Sequence, residues 1–160
     1  MSTTPAQPSE PFDAIVIGAG LSGMYQLHRL RELGVRTRVL EAADGVGGTW
    51  YWNRYPGARF DSESWTYGYA FSDELLREWE WSEHFAAQPE TLRYCNFVAD
   101  KLDLRRDIEF GSRVRAAAYD AITNQWGIEI EDGRRAWARW LITATRLPAK
   151  LTGRCGQVPV

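Results

Sequence analysis

Thiols are scarce in this sequence: Cys95 and Cys155 are its only cysteines, and they stand far apart. A disulfide framework or a cysteine-built metal cluster needs several thiols at short spacings, so both are excluded and no metal site is expected. Histidine is equally rare. His28 and His84 each sit in an amphipathic stretch, where a structural role outweighs that of a base. Charge of one sign is missing too, since 19 Lys and Arg against 21 Asp and Glu leave a formal net charge of -2. Such a balance makes no field that would gather nucleic acid or an anionic membrane surface. Apolar runs are short, and none approaches the roughly 18 residues of a membrane-spanning helix. Residues 1–11 are Ser-, Thr-, Pro- and Gln-rich, without the apolar segment or arginine-rich face of a targeting peptide. They read as a disordered lead-in. The expectation is a cytoplasmic protein with a small-molecule partner, and with neither nucleic acid nor membrane.

What is present is enough for one domain: 160 residues, 44% hydrophobic. The run Asp13–Ile17 is apolar and β-rich and ends at Gly18, as in a strand buried on both faces. Gly18, Gly20 and Gly23 follow with the spacing G-x-G-x-x-G, and Leu21, Met24, Leu27 and Leu30 then recur at helical intervals up to Gly34. A second strand, Thr37–Leu40, runs into Glu41, which lies 41 − 23 = 18 positions past the last glycine. Strand, glycine turn, helix, strand and acid arrive in the order of a dinucleotide site. In such a turn the glycines bring backbone N–H groups to a pyrophosphate at the helix N-terminus. A glutamate at the end of the second strand accepts the ribose hydroxyls, which favours FAD or NAD over a 2′-phosphorylated cofactor.

Which dinucleotide is meant depends on the segment after Glu41. Gly45-Val46-Gly47-Gly48-Thr49-Trp50 is a second glycine cluster, and Tyr51, Trp52 and Tyr55 add aromatic surface. A loop of this kind suits a large flat ligand, so FAD fits better than NAD. The alternative is a hydrophobic minicore under a loop, with no ligand.

The stretch Gly47-Gly48-Thr49-Trp50-Tyr51-Trp52-Asn53-Arg54-Tyr55-Pro56-Gly57-Ala58-Arg59, followed by Asp61-Ser62-Glu63-Ser64, strongly resembles the Baeyer–Villiger monooxygenases, the class B flavoprotein monooxygenases. The likeness continues through Glu78-Trp79-Glu80-Trp81-Ser82-Glu83 and Gln88-Pro89-Glu90, and spans about Phe12 to Thr145. It implies an enzyme in which NADPH reduces FAD and O2 then delivers one oxygen atom to a ketone or a heteroatom. It implies flavin contacts at Gly18, Gly20, Ser22, Gly23, Glu41, Gly48, Thr49, Trp50, Tyr51, Trp52, Asp61, Tyr67 and Val114. The family's Arg-x-Asp segment near the nicotinamide falls on Arg59, Phe60 and Asp61, where a cation held by a carboxylate would favour negative charge on a flavin. Phe60 replaces the small residue expected there. By itself the pair would read as a surface Arg–Asp contact of slight worth.

After the motif, Pro89–Asp103 predicts a helix with Leu92, Cys95, Val98, Ala99 and Leu102 on its core face. Short β segments follow at Arg113–Tyr119, around Trp126, Ile128 and Ile130, and at Trp137–Ile142, with a turn at Glu131-Asp132-Gly133. Arg134, Arg135 and Arg139 read as a solvated edge. The fold expected is α/β: a Rossmann-like FAD-binding domain over residues 12–145, with a parallel sheet and an inserted β-meander. The return strand reaches Ala144-Thr145 and then Arg146, where the resemblance leads to expect a glycine. Residues 146–160 match nothing expected, and read as a truncation or frameshift or else as the natural tail of a short variant. No catalytic residue is assigned within the chain. It reads either as the FAD-binding portion of a monooxygenase, or as a stand-alone FAD-binding module or inactive product. These 160 residues are expected to make no ester or lactone from ketones with NADPH, and at most peroxide. Gas chromatography beside a coupled peroxidase assay checks this, and ester formed at enzyme-like turnover would overturn it.

Overall fold

The computed structural model describes residues 11–145 and a short strand at residues 157–158. In it β1 (Phe12–Ile17), β2 (Thr37–Leu40), β3 (Ile108–Glu109), β4 (Val114–Asp120), β5 (Gln125–Ile130), β6 (Arg135–Thr143) and β7 (Gln157–Val158) form one sheet in the order β3-β2-β1-β6-β5-β4-β7. The half from β3 to β6 is parallel, and from β6 to β7 neighbouring strands run antiparallel. β6 belongs to both halves. Its first residues pair with β5 and, from Ala138 onward, it runs beside β1. The expected meander is therefore continuous with the parallel sheet. The rest of the 146–160 segment lies outside the described residues, Cys155 included.

β1 lies between two strands, and Ala14, Ile15, Val16 and Ile17 are all buried, as a run without alternation requires. Alternate side chains still serve different cores. Val16 packs with Met24 and Leu27 of α1 (Leu21–Glu32) and with Cys95 and Ala99 of the helix Gln88–Lys101. Ile15 and Ile17 meet Ala117, Ile128, Ile130 and Ala138 of the meander.

Between β2 and the helix Gln88–Lys101 the chain makes three short helices, α2 (Thr49–Trp52), α3 (Ser64–Tyr67) and α4 (Asp73–Glu78); that long helix is thus α5. Its buried side is wider than the apolar spacing suggests, because Thr91 and Tyr94 join Cys95, Val98 and Ala99. Tyr94 ties α5 to the segment before α4. Its hydroxyl accepts the Tyr69 N–H at 2.7 Å, and its ring packs with Trp79 and Trp81. His28 and His84 do serve structure: His28 stacks on Phe71, and His84 lies against Trp65 and Phe85 with its Nε2 3.3 Å from Glu63.

Of the described glycines the most tightly packed is at the start of α1, where a Cβ on Gly23 would lie 1.8 Å from the Gly18 carbonyl oxygen. Helix and strand end meet backbone to backbone, and no rotamer relieves that clash. Gly23→Ala is expected to destabilise the fold by more than about 2 kcal/mol, read from urea midpoints.

Burial pushes the Cys95 thiol up to about 12 and raises the Tyr69 and Tyr94 hydroxyls above the usual tyrosine range. In the unfolded chain these groups lose protons from about pH 8.5 (Cys) and 10 (Tyr). Above those values the unfolded state binds fewer protons than the folded one, so stability falls as pH rises. Urea midpoints taken from pH 8 to 11 are expected to drop steadily, and Cys95→Ala to remove the part that begins lowest; a flat profile would contradict the assignment.

Candidate functional site

β1, β2 and β6 all point their C-terminal ends at one place. Backbone bonds lock the three ends together, Gly18 N–H to the Leu40 carbonyl at 2.9 Å and Ala144 N–H to the Ile17 carbonyl at 2.9 Å. A crevice outside the carboxyl ends of parallel strands is where open α/β sheets bind ligands. Here it is a cleft of about 640 Å³, within the usual range for small-molecule sites.

One wall is the glycine turn. The first amides of α1 have no intrahelical acceptor, as in any helix, and with Gly20 as N-cap they have no side-chain cap either, at the positive end of the helix dipole. Opposite it stands Gly48, at φ 53°, where a Cβ would come within 2.9 Å of the Gly20 Cα. Two glycines from separate motifs thus leave bare backbone facing bare backbone. The Gly47 N–H donates to the Ala19 carbonyl at 3.0 Å and holds the second loop to the first.

Glu41 is buried at the edge of this turn, with 5% of its surface exposed. One carboxylate oxygen accepts the Ala19 N–H at 2.5 Å and the other accepts the Ala43 N–H at 2.8 Å. Charge-assisted bonds of this kind are the strong ones, and they tie the glycine turn to the end of β2. On the α2 side, Trp50 packs edge-on to Phe60 and Tyr67, and its indole N–H donates to the Tyr67 hydroxyl at 2.7 Å. Burial raises the Tyr67 hydroxyl above the ordinary tyrosine value, with the indole bond pulling the other way. The phenol therefore stays protonated and neutral near pH 7.

Of the residues singled out from sequence, Gly18, Gly20, Ser22, Glu41, Gly48, Thr49, Trp50, Trp52, Tyr67 and Val114 line the cleft. Gly23 lies behind the turn. Tyr51 stacks edge-on with Trp52, and Phe60 lies flat on Tyr67 with ring centroids 4.3 Å apart; neither lines the cleft. Arg59 and Asp61 also stand outside it. The carboxylate that holds Arg59 is Glu83, at 3.0 Å, rather than neighbouring Asp61, and the guanidinium donates to the Phe85 carbonyl as well. Arg59 pairs with Ala87 in an isolated antiparallel bridge, which carries it toward Glu83.

Sequence reasoning passed over Ala42, Asn53, Ser112 and Arg113, which also line the cleft. Ala42 directly follows Glu41 and Asn53 stands within the Gly47–Arg59 motif, whereas no local motif marks Ser112 and Arg113. They arrive because Ser112 N–H donates to the Glu41 carbonyl and Gly111 N–H to the Ala43 carbonyl, placing the segment after β3 beside the end of β2.

Residues 16–75 match the profile of an NAD(P)-binding Rossmann-like domain. The chain is 50% identical over 143 residues to an acetone monooxygenase (methyl acetate-forming) of Gordonia sp. (strain TY-5), a match over 89% of this chain and 26% of that protein. The structure of an oxidized steroid monooxygenase bound to NADP superposes with a TM-score of 0.82 at 49% identity, over 87% of this chain and 28% of the other. That of OTEMO in complex with FAD and NADP does so at 0.81 and 44% identity, over 91% and 29%. The chain thus spans about a quarter of the length of the curated relatives it matches. Among the described residues no helix is long and apolar enough to cross a membrane.

Trp50→Phe removes the N–H that lowers the Tyr67 pKa, so Tyr67 is expected to ionise at still higher pH. Titration of tyrosine ring carbons by NMR reads this directly. An unchanged or lower value would show that the indole bond has no hold on the phenol.

Proposed function

We propose that this chain, which belongs to the Baeyer–Villiger monooxygenase family of flavoproteins, binds FAD in the cleft and is the flavin-holding part of an NADPH- and O2-dependent monooxygenase. The uncapped N-terminus of α1, set where Gly20 and Gly48 keep both walls free of side chains, carries this reading. A pyrophosphate needs such a place: amide donors, a positive dipole end and room for backbone approach. The donor set fits the group.

Each residue then has a task. The amides of Gly20 and Ser22 receive the pyrophosphate, Gly23 lets α1 start close against the end of β1, and Glu41 stands ready for the ribose hydroxyls with the lone pairs that Ala19 and Ala43 do not use. Trp50, Trp52 and Tyr67 give an apolar wall with one neutral hydroxyl to the flavin side, Thr49 a hydroxyl at the start of α2, and Val114 a wall beside Glu41. Tyr51 and Phe60 brace those aromatics from behind. Arg59 and Asp61 we assign to the edge where NADPH would approach. When bound, FAD supplies the redox chemistry, taking electrons from NADPH and passing them to O2. The substrate class is a ketone or a heteroatom, in a cytoplasmic setting, and residues 12–145 act as the FAD-binding unit.

FAD added to the purified chain is expected to give a saturable fluorescence change, while NADH binds more weakly; the reverse preference would sink the assignment. Glu41→Gln presents an NH2 group to one of the two backbone amides and removes the charge. It is expected to weaken FAD binding by about 1–3 kcal/mol, and unchanged affinity by calorimetry would rule out the ribose role.

A further inference from the structure

Among the described residues that line the cleft, only Glu41 and Arg113 are charged. Glu41 is engaged by two backbone amides. Arg113 has no such engagement. Its Nε lies 3.5 Å from Glu131, and the two side chains are 56% and 67% exposed. A pair so open to water contributes little and holds the side chain loosely. Nearby Arg115 and Arg135, by contrast, both reach Glu129 at 2.8 Å. The root of Arg113 is nevertheless fixed, since its carbonyl accepts the Glu131 N–H at 2.8 Å and the preceding Ser112 N–H donates to the Glu41 carbonyl at 2.8 Å.

Resting on the assignment of FAD to this cleft, we propose that Arg113 is the residue that recognises the adenine base of the ligand, its guanidinium covering the face of the purine at the rim. The order of groups in a dinucleotide supports this. The pyrophosphate belongs at the glycine turn, the ribose at Glu41, and the base one step further, where Ser112, Arg113 and Val114 line the wall. A guanidinium is planar, weakly hydrated and suited to stacking on an aromatic face. A purine offers that face whatever its hydrogen-bonding edge does. A 2′-phosphate is a poorer occupant, because the buried Glu41 carboxylate lies beside the same segment. Arg113 would thereby make the cleft select a flavin carrying adenosine over FMN.

The test measures FAD, ADP and FMN affinity by calorimetry and flavin fluorescence for the chain and for Arg113→Ala, Arg113→Lys and Glu131→Gln. Arg113→Ala is expected to weaken FAD and ADP by about three- to tenfold. FMN affinity and the ligand-free urea midpoint should stay put. Arg113→Lys keeps the charge without the plane and should recover only part of the loss. Glu131→Gln breaks the exposed pair and should leave FAD affinity intact. Unchanged FAD affinity in Arg113→Ala, or an equal loss for FMN, overturns the inference while the cofactor assignment stands. Failure of the unsubstituted chain to take up FAD overturns the assignment itself, and this inference with it.

Discussion

A buried carboxylate joined to two backbone amides holds the centre of this structure. Glu41 ends β2, yet its oxygens reach Ala19 in the turn after β1 and Ala43 in the loop after β2. A carboxylate with 5% exposure is tolerable only if its charge is answered, and here backbone N–H groups answer it beside the positive end of α1. The turn, the strand and the second loop are thereby held as one unit. The carbonyl of the same residue accepts from Ser112 and fixes the segment that carries Arg113 and Val114. One side chain and its own backbone thus define this side of the cleft.

The other side depends on aromatic packing. Residues from α2, α3 and the segment before α5 converge on Trp50, Phe60, Tyr67 and Trp81. Two polar residues of α5 pin that cluster. Gln88 donates from Nε2 to the Trp50 carbonyl at 2.5 Å, and the buried Glu90 accepts from the Ser82 N–H and hydroxyl at 2.9 and 2.8 Å. The run Gln88-Pro89-Glu90 therefore serves the cleft from beneath. Proline begins the helix, and its neighbours tie the aromatic loop to the helix end.

Phe60 shows how a departure from an expected residue type can be absorbed. It lies flat on Tyr67 and edge-on to Trp50 and Trp81, so a large side chain there fills the space behind the cleft wall. Arg59, next to it, points the other way, to Glu83 and the Phe85 carbonyl. Adjacent residues of an extended segment face opposite sides. Two adjacent residues thus supply a core ring and one half of a surface ion pair.

Local signals determined the strand–turn–helix–strand unit, because apolar run, glycine spacing and helical period each depend on neighbours within a few residues. They also marked Glu41, whose distance from Gly23 follows from the length of one helix and one strand. The aromatic loop stood out through its composition and family likeness, and its Trp50 and Trp52 line the cleft. Its three short helices were not legible, since four- to six-residue segments carry too few turns for a period to show. Tertiary structure alone decided that Glu41 engages Ala19, that Arg59 pairs with Glu83, and that Arg113 comes to the rim. Each joins residues twenty or more positions apart or depends on parallel pairing of β2 with β3. Such contacts are fixed by how elements pack, and no spacing along the chain encodes them.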